Sequence, residues 1–140
     1  MINTHIKKET LLSTLWIFVL LNMIFRDIHQ LGKMSFIQEI LTGTVNGIEI
    51  TDELMLFGGF LAEIPIVMVI LSRILNRNAN KWANIIAGVI TIAVFATGIP
   101  YLDIDDAFHM AIETAAILWI FRIACKLPTQ DNINTTESHA

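Results

Sequence analysis

From Trp82 to Leu102 the chain runs 21 residues without one charged side chain. A stretch of that length can cross a hydrocarbon core about 30 Å thick at 1.5 Å per residue, and no helix of a water-soluble bundle needs it. The rest of the chain keeps to the same pattern. Of its 140 residues 54% are hydrophobic and only 16% charged, where soluble domains carry roughly a quarter; mean hydropathy is +0.62. The apolar residues come in blocks, not at a period of 2 or 3.6, as in helices that are apolar all round. A soluble four-helix bundle is the competing reading, and the uncharged run argues against it.

The blocks predict an all-α fold: a four-transmembrane-helix bundle with spans at about 11–31, 54–75, 82–102 and 107–125. Residues 11–127 form one transmembrane domain between a short N-terminus (1–10) and a polar tail (128–140) expected to be disordered. Lys7 and Lys8 precede an uncleaved first span and not a signal peptide, because no small-residue cleavage site follows. The turn Asn76–Lys81 separates spans two and three. Pro100 ends span three, and Asp103, Asp105 and Asp106 suit the start of span four, where carboxylates meet the positive end of the helix dipole. Gly58 with Ala62, and Ala83 with Ala87, have the spacing of close helix contacts. Cys125, the only cysteine, reads as a small apolar filler.

Orientation follows from the cations. Lys7, Lys8, Arg73, Arg77, Lys81, Arg122 and Lys126 fall on one side, and both termini are expected to be cytoplasmic in the inner membrane of a bacterium. Arg73 and Arg122 read as snorkelling side chains. The opposite side carries Lys33 and most of the acids. In the first outer loop SFIQEIL predicts a short amphipathic helix with a Ser35–Gln38 capping box. Asn46-Gly47 predicts a tight turn between short β segments.

Several polar groups fall inside the spans. Asn22, Arg26 and His29 share one face of span one, and His109 and Glu113 one face of span four. Span two carries Glu63 two residues before Pro65, which removes a backbone donor and predicts a kink. Counting 1.5 Å per residue from the outer ends, Arg26 and Glu113 both lie about 8–10 Å deep, Asn22 and Glu63 roughly 13–15 Å, and the histidines about 3–5 Å. The expected pairs are therefore Arg26 with Glu113 and Asn22 with Glu63. Arg26, Asp27, Glu63 and Glu113 sum to −2 when ionised, a charge that a proton or a cation must relieve at such depth.

Asn22, Arg26, His29, Glu63, His109 and Glu113 are thus the candidate ligand- or proton-binding residues of an outward-facing polar pocket. It would bind a small molecule or a cation, with a homo-oligomer needed for any transport. Two other readings compete: a structural or assembly protein whose buried charges only fix packing, and a metal-dependent membrane enzyme. His29, His109, Glu63 and Glu113 are weak metal candidates, because Arg26 in their midst would repel an ion. No catalytic motif, cofactor signature or nucleic-acid footprint occurs, which weighs against an enzyme and leaves the metal-dependent reading as an alternative. The bilayer is the one partner implied throughout.

The stretches LLSTLWIFVLLNMIFRDI (11–28), LAEIPIVMVILSRIL (61–75) and NKWANIIAGVITI (80–92) resemble a family of small bacterial four-span membrane proteins of uncharacterised activity. The similarity runs from Leu11 to about Leu127. It implies a four-helix protein of the bacterial cytoplasmic membrane and brings no catalytic residues with it.

Overall fold

The computed structural model describes residues 6–127; the tail expected to be disordered lies outside the described residues. Four helices are long and apolar enough to cross a membrane: α1 (Lys8–Leu31), α3 (Asp52–Ile74), α4 (Arg77–Gly98, continued by a 3-10 turn at Ile99–Tyr101) and α5 (Ile104–Cys125). A shorter helix α2 (Met34–Leu41) and a hairpin of β1 (Thr44–Val45) and β2 (Ile48–Glu49) join α1 to α3.

The helix starts are written locally. The side chains of Thr51, Asn76 and Asp103 accept the backbone N–H groups of Leu54, Ala79 and Asp106, satisfying donors that the first turn leaves unpaired. The Asn76 cap starts α4 five residues before the expected Trp82. Asn80 and Lys81 are therefore helical, not part of a turn, and Asn80 sits one turn before Asn84. At α2 the expected capping box does not form, because Lys33 occupies the cap position and no side chain caps the helix. The hairpin turns at Asn46 (φ 53) and Gly47 (φ 76), both in the left-handed region that a two-residue turn of this hand requires. α3 continues unbroken through Pro65.

The four long helices close into a ring, with α1 and α4 each packed between α3 and α5. Leu12, Trp16, Val19, Ile117 and Ile120 are fully buried at its centre. α4 and α5 approach closely at Gly88, where an added Cβ would lie 2.3 Å from Phe121 Cε1. Ala87 is buried beside it. Gly58 has nothing within 4 Å of such a Cβ, so the Gly58–Ala62 pair makes no close helix contact at Gly58 among the described residues. Cys125 is exposed and fills no gap.

Burial is inverted relative to a soluble bundle. Phe18, Phe25, Phe57, Phe60, Trp82 and Trp119 are exposed, while Ser13, Ser72, Asn80, Asn84, Thr91, Asp106 and Glu113 are buried. An outer face greasier than parts of the interior is stable in hydrocarbon, which asks polar groups to turn inward and pair.

Candidate functional site

Two polar clusters occupy opposite halves of the bundle. The first lies toward the end carrying Lys7, Lys8, Arg73 and Arg77. The Trp16 indole N–H donates to Asn84 Oδ1 (2.7 Å), which also accepts from Ser72 Oγ (3.3 Å). The amide of Asn84 donates to the Asn80 carbonyl (2.8 Å) and to Asn80 Oδ1 (2.6 Å), and Asn80 Nδ2 donates to the Ser72 carbonyl (2.7 Å). An indole can only donate, so it dictates which way the Asn84 amide faces. Every donor and acceptor of that amide is used. Beside it Ser13 donates to the Val69 carbonyl (2.7 Å) and accepts from Arg73 Nε (3.1 Å); Arg73 is thus anchored as well as exposed. Sequence reasoning missed this network because none of Trp16, Ser72, Asn80 and Asn84 is ionisable. The signal was Asn80 and Asn84 at i, i+4.

The second cluster lies toward the α2 end. Arg26 Nη1 donates to Glu113 Oε2 at 2.8 Å, the pair expected from matched depth. The Glu113 side chain is 0% exposed and that of Arg26 15%. The guanidinium also lies over the Phe95 ring, 5.3 Å from its centroid, which ties α1 to α4 across the centre. Glu113 Oε1 is buried and has no hydrogen-bond partner among the described residues.

A cavity of about 390 Å³ opens beside Arg26, between the ends of α1, α4 and α5 and the α2–hairpin segment. Among its charged lining residues Arg26 and Lys33 face Asp27, Glu39, Asp103 and Asp106, and Phe36, Phe95 and Tyr101 supply aromatic surface. Lys33 bridges to Asp103 and lies 3.9 Å from Asp105 and Asp106. The hydrogen bond to Asp103 raises the Lys33 pKa above its ordinary value. The Asp106 N–H and the Lys33 ammonium hold the Asp103 carboxyl below the usual carboxylate range. Gln30 Nε2 reaches both oxygens of Asp106 at 3.3 Å. From the sequence alone, Asp103 and Asp106 are helix-start acids only. Asp106 stands seven residues before Glu113, on the same face of α5, and that spacing could have found it.

The other candidates do not converge on this pair. Asn22 Nδ2 donates to its own helix, at the Phe18 carbonyl (2.9 Å), and makes no bond to Glu63. Glu63 is exposed on α3 and joins no ion pair among the described residues. The expected convergence of three spans is thus corrected to two, α1 and α5, with α4 contributing Phe95. α3 is apolar all round, so hydropathy did not indicate which face it would turn inward. His29 and His109 lie together but outside the cavity lining, with ring centroids 5.5 Å apart.

The chain belongs to the Family of unknown function DUF6326, whose model matches residues 1–126. Its four apolar helices suit an uncharacterised family of small membrane proteins. No curated protein and no solved structure matches the chain.

Proposed function

We propose that this is a multi-pass membrane protein whose α2-capped cavity binds a small organic cation. The observation that carries the reading is the lining itself: four carboxylates against two cations, with three aromatic rings beside them. Arg26 is held by Glu113 and lies 3.9 Å from Asp27, and Lys33 is bonded to Asp103 and lies 3.9 Å from Asp106; four lining carboxylates against these two cations still leave a net negative charge to compensate a positive guest. Aromatic faces bind ammonium groups through the ring quadrupole, and about 390 Å³ suits a small molecule. In a bilayer the basic end would face the cytoplasm, placing both termini there and the cavity at the outer side of a bacterial inner membrane. α2, with no fully buried residue, would lie over the mouth. A homo-oligomer, if formed, would use the free face of α3 with Gly58, Ala62 and Glu63.

The test is thermal unfolding of the detergent-purified chain with organic ammonium ions beside neutral isosteres of the same shape. At a hundredfold excess over Kd a cation should stabilise the fold by about 2.7 kcal/mol, a shift of several degrees. Asp106→Asn should weaken that response, and Glu63→Gln should leave it intact. An equal response to the neutral isosteres would refute the proposal.

A further inference from the structure

A second group of ligating side chains sits on the α1–α5 seam, away from the cavity lining. His29, in the last turn of α1, faces Asp105 and His109, which stand four residues apart on one face of α5. One ligand atom from each lies within 4.8 Å of the other two. We propose that His29, Asp105 and His109 form a binding site for a zinc-like divalent ion that clamps the end of α1 to the start of α5.

Three observations converge. The first is ring placement. Two imidazoles on one tetrahedral ion at about 2.0–2.1 Å hold their centroids roughly 5 Å apart; here the centroids are 5.5 Å apart and the planes tilted by 40°. The second is the state of His29. Its Nδ1 lies 3.0 Å from the Phe25 carbonyl, and since a carbonyl only accepts, Nδ1 carries the proton. In the neutral ring Nε2 then carries the lone pair, the arrangement by which a backbone carbonyl orients a metal-binding histidine. The third is His109, whose Nδ1 is buried with no hydrogen-bond partner among the described residues. That cost is relieved if Nδ1 itself is the nitrogen that takes the ion.

The neighbouring acids behave differently. Asp103, Asp105 and Asp106 also approach one another, but Lys33 already serves them as a resident cation, bonded to Asp103 and 3.9 Å from Asp105 and Asp106. In the histidine group only Asp105 lies near that ammonium, at 3.9 Å and without a hydrogen bond to it, and the two imidazoles select a borderline transition ion over magnesium or calcium. Ligand atoms of a closed tetrahedral set lie roughly 3.3 Å apart, so the ion would draw the three side chains inward by small rotations. Three protein ligands leave a fourth position for water. From the sequence alone, both histidines group with Glu63 and Glu113 as metal candidates. Glu63 is exposed on α3 and Glu113 is held by Arg26; Asp105 takes their place.

The experiment is a zinc titration of the untagged full chain in detergent, followed by calorimetry and thermal unfolding, with cobalt as an optical reporter of tetrahedral coordination. The expected result is one zinc per chain and a raised Tm. His29→Ala and His109→Ala should each weaken binding by at least the roughly 10–100-fold that loss of a mere supporting residue costs. Should either variant fold poorly, Asp105→Asn, which preserves shape and removes the anionic ligand, should still lower affinity. A double His5→Ala/His139→Ala variant should bind as wild type. Binding that survives the His29 and His109 changes, that magnesium competes away, or that is absent at micromolar zinc overturns the site.

Discussion

The two polar clusters solve the same problem in opposite ways. Near the basic end, Trp16, Ser72, Asn80 and Asn84 bury neutral groups and saturate one another across α1, α3 and α4. Near the capped end, Arg26 and Glu113 bury charge, leave Glu113 Oε1 without a partner, and adjoin an open cavity. A saturated neutral network has nothing left to offer a ligand, so its value is to fix helix position. A charged pair with spare valence costs stability by itself and keeps capacity to respond. Intramembrane polarity alone therefore does not mark a site; incomplete satisfaction does.

That contrast can be broken most forcefully at Arg26. Arg26→Met leaves Glu113 buried without its counter-charge and should cost about 3–5 kcal/mol in thermal or denaturant unfolding. The double variant Arg26→Met/Glu113→Leu should recover most of that loss, because it removes both charges together. If the double variant is as unstable as the single one, the pair is structural in the same sense as the asparagines.

Asn84→Leu comes next. It orphans the Trp16 indole, the Asn80 side-chain oxygen and the Ser72 hydroxyl, and should cost about 2–3 kcal/mol. No apolar double variant repairs it, and the response to organic cations should be unchanged. A lost cation response at unchanged stability would mean the two ends are coupled.

A smaller effect belongs to Asp103. Removing the cap in Asp103→Ala should cost about 1 kcal/mol at neutral pH. Its carboxyl is held below the ordinary value, so that stabilisation is fully present above the unfolded pKa and fades as pH falls through the folded one. Lys33 has the opposite sign: its raised pKa preserves the bridge below its ordinary value and loses it as pH rises through the folded one. Wild type and Asp103→Ala should thus converge in strong acid. A gap that stays constant down to the lowest pH would assign the effect to packing. Glu63→Gln should shift stability least, within about 0.5 kcal/mol in a detergent-solubilised monomer.

How much of this was legible depends on the kind of signal. Span number and rough limits follow from apolar run lengths, since 20-odd residues are needed to cross the core. The caps at Thr51, Asn76 and Asp103 and the Asn46-Gly47 turn rest on contacts within three or four residues. Even Arg26 with Glu113 could be paired, because helix rise converts sequence position into depth. Rotation about the helix axis has no such local source. α3 is apolar on every side, so facing Glu63 inward or outward changes little burial. Only the assembled ring, with Asn84 taking the Trp16 indole and Phe95 lying under Arg26, decided which polar groups meet. Likewise Asp105 joined the histidines only once α1 and α5 were set side by side, because a contact between distant segments is fixed by how helices pack and not by the residues beside each one.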